Sequence, residues 1–163
     1  MLHLLKAHLG SRHVTRIVYG VIIGLALIVA LAQHPPSSGV VIATLLGTAV
    51  AVGLAEVYSD IVGTETRQRR HIRRADLPDM VYDGLAVGFG ISFPAVFFVL
   101  AAAGVMEKDT AFTIGAWSGL GLISFYGFCA ARLAGESPVF SVLQALGVGL
   151  IGAILIVLKA VLH

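Results

Sequence analysis

The stretch 40–55, VVIATLLGTAVAVGLA, runs for sixteen residues without a charge and is followed at once by Glu56, with Asp60 one turn further on. A membrane-spanning helix needs about 20 apolar residues, and between Val40 and Val62 only those two carboxylates interrupt the apolar run. Apolar length of this kind rules out an ordinary soluble helix. The rest of the chain agrees: of 163 residues, 58% are hydrophobic and 12% charged. The mean hydropathy is +0.94. Soluble domains carry about 25% charged residues, so a soluble globule, a coiled coil and a disordered chain are all excluded. The nineteen glycines suit packed membrane helices, where small residues let backbones approach.

Working outward, five apolar segments can be read, at about 15–32, 40–62, 79–105, 111–133 and 138–162. The first is stopped by Pro35-Pro36, since proline cannot continue a helix. The second can run on as a polar helix through Arg74. The third opens at Pro78-Asp79, with Asp76 placed as its N-cap, and Pro94 should kink it. The fifth opens at Ser137-Pro138, a cap followed by a first-turn proline. No segment alternates with period 2, so the expected class is all-α: one five-helix transmembrane domain over 15–163. Residues 1–14, with His3, His8 and His13 among leucines, read as an amphipathic segment on the membrane surface. No small-x-small site precedes Pro35, so the first segment is not read as a cleavable signal.

Lysine and arginine set the orientation. With five spans, Lys6, Arg12, Arg16, Arg67, Arg69, Arg70, Arg73, Arg74 and Arg132 share one side, against Lys108 and Lys159 on the other. This predicts the N-terminus inside and the C-terminus outside. The basic loop 67–74 reads as a topology signal that also holds anionic lipid, rather than as a nucleic-acid site. Gly20/Gly24, Gly84/Gly88 and Gly115/Gly119 form GxxxG pairs, and Ala43, Gly47, Ala51 and Ala55 make one smooth stripe; these faces are expected to pack helices within the bundle, the alternative being a dedicated dimer seam.

Ionisable groups in a span are costly and need a reason. Glu56 and Asp60 lie about 40° apart on one helix, and Asp79 and Asp83 repeat that spacing with Asp76 on the same face. These two carboxylate pairs meet at one membrane surface. Oxygen ligands from facing helices suit a divalent cation, and His71 could add a nitrogen. Glu56, Asp60, Asp79 and Asp83 are thus the candidate metal residues; the competing reading is that the acids pair with the arginines of the Arg67–Arg74 run. Glu65 falls on the opposite face from Glu56. Cys129 and Met106 read as packing residues. With no phosphate loop, nucleophile constellation or paired-cysteine motif, the chain is not read as an enzyme.

Arg16 followed by Gly20-Val-Ile-Ile-Gly24-Leu25, Gly53-Leu-Ala-Glu56-Val, Gly88-Phe-Gly-Ile-Ser-Phe-Pro94, Arg132-Leu-Ala-Gly135-Glu-Ser137 and Gly147-Val-Gly149 together resemble the vacuolar iron transporter family. The resemblance is to a short, divergent member without the acidic cytoplasmic metal-collecting segment, whose place the basic loop takes. It implies a homodimer that moves ferrous iron or manganese in exchange for protons. Glu56 would then bind metal or a proton in the ion path, with no tightly bound cofactor. The family's first-helix aspartate position is filled here by Ile23. That departure opens an alternative, a scaffold or accessory subunit that keeps the bundle without the ion site. A bacterial plasma membrane is the expected location.

Overall fold

The computed structural model describes residues 12–133, 135–143, 145–147 and 150. Among these there is no strand. The architecture is all-helical: α1 (Arg12–Leu31), α2 (Ser38–Gln68), α3 (Leu77–Ser92), α4 (Ala95–Ala102) and α5 (Lys108–Leu133). Helical residues resume at 138–143 and 145–147. Three helices, α1, α2 and α5, are long and apolar enough to cross a membrane, and α3 with α4 makes a fourth if the bent pair is one span. Their outward surfaces carry Leu46, Val50, Leu54, Phe89, Trp117 and Phe125, all exposed. Such a coat has no place in water and is that of a membrane protein. Residues 1–11 of the amphipathic segment and most of the fifth segment lie outside the described residues, while 12–14 belong to α1.

Local sequence explains the ends. Pro35-Pro36 separates α1 from α2, and Lys108 at the head of α5 donates to the Pro35 carbonyl at 3.1 Å, fastening that turn. After α4, Gly104 takes φ +77°, with Gly104 N–H on Ala101 O and Val105 N–H on Leu100 O. The turn after α5 repeats the pattern, with Gly135 at φ +88° and Glu136 N–H on Ala131 O. This paired closure wants a left-handed residue just past the helix, and glycine enters that region without a Cβ penalty. Ser137 caps the next stretch, its hydroxyl accepting from Phe140 N–H at 3.2 Å.

Two sequence expectations need correction here. The polar extension of the second segment stops at Gln68, because Arg69 turns left-handed (φ 49°, ψ 36°), and does not reach Arg74. Asp76 stands at the N-cap position of α3 but makes no capping bond; its carboxylate is turned back to the preceding loop. At Pro94 the third segment breaks as its chemistry requires. Proline has no N–H for the Gly90 carbonyl, so α3 ends at Ser92 and α4 leaves at 47°.

Packing follows the glycines. α3 lies along both α1 and α2, which touch each other far less. A β-carbon at Gly20 would run into the Val87 carbonyl, one at Gly24 would stand 2.9 Å from Ile91 O, and one at Gly90 would strike the Ile17 carbonyl. Gly53 and Gly84 face each other across α2 and α3, where a β-carbon would meet the opposite carbonyl at 3.0 and 2.7 Å. The Gly115 face meets Ile28, Phe98 and Pro94. All three GxxxG pairs are therefore seams inside the chain. The α2 stripe behaves differently: Ala43, Gly47, Ala51 and Ala55 are exposed, and nothing lies within 4 Å of a β-carbon at Gly47. The α2 face that packs is instead Val41, Leu45, Ala49 and Gly53. A second core, at the far end from Glu56, joins Ile28, Val41, Leu45, Ala95, Phe98 and Phe112, with the last two rings edge to face at 4.8 Å.

Candidate functional site

The candidate carboxylates gather where α1, α2 and α3 come together opposite the Pro35 turn. Glu56 lies 18 positions after Ser38, about 27 Å along α2, and Asp60 about 33 Å along it. Laid across a bilayer of about 40–45 Å with its headgroups, α2 would carry both carboxylates in the far part of the hydrocarbon layer. Their partner comes from another helix. Arg16, in the second turn of α1, forms an ion pair with Glu56 and also donates to Asp60 Oδ1 at 3.1 Å and Oδ2 at 3.4 Å. All three side chains are largely buried, 14–26% exposed. The Gly20 and Gly24 seam holds α1 against α3 and carries Arg16 within reach of α2. One guanidinium thus spans two carboxylates one turn apart and ties together helices that otherwise hardly meet.

Beside this triad lies a polar cleft of about 160 Å³ between the end of α2 and the start of α3. Asp60, Thr64, Arg67 and Gln68 line one wall, and Asp76, Asp79, Met80 and Asp83 the other. Asp83 is 4% exposed, the one carboxylate among the described residues buried to that degree. The lining holds four acids and one arginine, and Arg16 and Arg70 from outside it pair with Asp60 and Asp76. At ~30 Å³ per water the cleft has room for about five, enough for a partly hydrated ion. Among the described residues, no group of three or more His, Cys, Asp or Glu stands close enough to hold one metal ion.

The four candidate metal residues are thus divided. Asp60, Asp79 and Asp83 share the cleft, while Glu56 is outside its lining and held by Arg16. His71 does not join them. Its Nδ1 sits 3.0 Å from Glu65 Oε1, on an exposed turn. Asp76 accepts from the Arg73 N–H at 3.0 Å and from Arg70 at 3.3 Å. That backbone hydrogen bond first, and then Arg70, hold its carboxyl below the usual carboxylate range. Because the folded value is lowered, this brace is fully present above the ordinary carboxylate pKa and is lost as pH falls through the lowered one.

Sequence reasoning placed Arg16 by membrane side and in the first-helix pattern of the resemblance, but not as the partner of Glu56 and Asp60. The signal was available: a charge one turn before Gly20, at the head of the apolar run 17–32, needs a partner. Searches against protein-family models, curated proteins and solved structures find no match to this chain, so the likeness to vacuolar iron transporters rests on the residues quoted above alone.

Proposed function

We propose that this chain moves a divalent cation, iron or manganese, across a membrane, with the aspartate cleft as the vestibule. The observation that supports this reading is Asp83, buried at the floor of a polar cleft that it shares with Asp60, Asp76 and Asp79. A buried carboxylate on a membrane helix is expensive, and cation passage is the usual reason to keep one. In this reading the ion enters hydrated, as the wide spacing of the aspartates allows. It then passes inward along Asp60 to Glu56 once Arg16 swings aside. The finer assignments belong to the same proposal: five spans with the basic loop inside, a homodimer in a bacterial plasma membrane, proton exchange, the metal as cargo and no resident cofactor.

A second reading has its own observation. Arg16 already bridges Glu56 and Asp60 and offsets one of their two charges, as a built-in cation would, and a bundle locked in that way suits a scaffold or accessory subunit. Manganese binding to the full-length protein in phosphatidylcholine nanodiscs, followed by the loss of the free-ion paramagnetic signal, separates the two. Saturable binding that weakens at least tenfold in Asp83→Asn, about 1.4 kcal/mol, supports the transporter. Binding that is absent, or identical in Asp83→Asn, favours the scaffold.

A further inference from the structure

The turn between α2 and α3 has a charge arrangement that neither reading of the cleft uses. Residues 65–76 hold five arginines and two acids, Glu65 and Asp76. Both acids are spent inside the turn. Glu65 accepts from the Ile72 N–H at 3.3 Å and pairs with His71. Asp76 accepts from the Arg73 N–H and from Arg70, which also donates to the His71 carbonyl. Arg67 is turned back along its own helix, its Nε donating to the Gly63 carbonyl at 3.1 Å. These bonds fix the turn in shape and hold Arg69 in its left-handed conformation, which is costly for a residue with a Cβ.

Three guanidiniums remain directed outward. Arg69, Arg73 and Arg74 are exposed. Among the described residues Arg69 and Arg74 meet no acid, and Arg73 only shares Asp76 with Arg70. The depth of this display is set by α2. Its 31 residues make a rod of about 46 Å, close to the full 40–45 Å of a bilayer with its headgroups. The turn that follows therefore sits at headgroup level, beside an apolar coat that keeps the helix in the bilayer.

We propose that Arg69, Arg73 and Arg74 form a preformed binding surface for the phosphate headgroups of anionic phospholipid in the leaflet where α2 ends. Guanidinium is the group of choice for phosphate, and three held on a braced turn bind with less loss of freedom than three on a loose loop. This inference does not depend on cation transport.

The test is titration of the purified full-length protein in neutral detergent with phosphatidylglycerol and, separately, phosphatidylcholine, counting bound lipid by native mass spectrometry. Wild type binds phosphatidylglycerol preferentially, and the preference falls as salt is raised. The triple variant Arg69→Gln, Arg73→Gln, Arg74→Gln loses affinity on the order of 100-fold, at roughly fivefold per arginine. The triple change to lysine keeps most of it, and Arg132→Gln keeps all of it. Thermal unfolding checks that each variant is folded. Equal binding of phosphatidylglycerol by wild type and a folded glutamine triple would overturn the proposal. So would a wild type that shows no preference between the lipids, or that binds a single-stranded oligonucleotide in place of phosphatidylglycerol.

Discussion

Gly20→Ala is expected to cost at least ~2–3 kcal/mol of folding stability, at or beyond the upper end of ordinary overpacking. The added methyl would occupy space held by the Val87 carbonyl, and a backbone carbonyl cannot move aside as a flexible side chain can. Relief requires α1 to lift off α3, which also opens the Gly24–Ile91 and Gly90–Ile17 approaches along the same seam. Gly47→Ala is the matched control. Nothing lies within 4 Å of its added methyl, so the change is expected to be neutral or to stabilise by up to ~1 kcal/mol through helix propensity. Unfolding of both variants in mixed micelles, read by helical circular dichroism, checks this contrast. A Gly20→Ala protein as stable as Gly47→Ala would mean that α1 and α3 are not seated as described.

The second large effect is expected at Arg16. Arg16→Gln leaves Glu56 and Asp60 without their shared cation. Breaking a fully buried pair costs ~3–5 kcal/mol and an exposed one ~0–1, so these partly covered groups should fall near 2–3 kcal/mol. Removing the stranded charges ought to reverse part of the loss. Arg16→Gln combined with Glu56→Gln should be more stable than Arg16→Gln alone, with an interaction energy of at least ~1 kcal/mol in the double-mutant cycle. Strict additivity of the two single changes would show that Arg16 and Glu56 do not interact.

The sequence made much of the fold legible through features that act locally. Pro35-Pro36, Pro94 and Ser137 each act on their own few residues, so a break or a cap follows from chemistry alone. Uncharged length marked α1, α2 and α5 as membrane helices by the same logic. Spacing was less informative. It placed Asp79 and Asp83 on one face, and the cleft holds both. It also put Ala43, Gly47, Ala51 and Ala55 on one face of α2, but smoothness does not say which neighbour covers a face, and none of the described residues covers this one. Glu56 shows the same limit. Helical periodicity orders the residues around one axis, whereas the guanidinium that meets Glu56 comes from a helix 40 positions earlier, brought there by the glycine seam. Asp76 fits the composition of a cap, yet Arg70 and the Arg73 N–H compete for its carboxylate and win.

The central claim is cation passage through the aspartate cleft. Its most direct test is manganese influx into proteoliposomes holding the full-length protein and a metal-sensitive dye, compared with Asp83→Asn and with empty vesicles. The account predicts protein-dependent influx that saturates with manganese and falls at least tenfold in a folded Asp83→Asn. Influx no faster than in empty vesicles, from protein that is folded and correctly inserted, would contradict it.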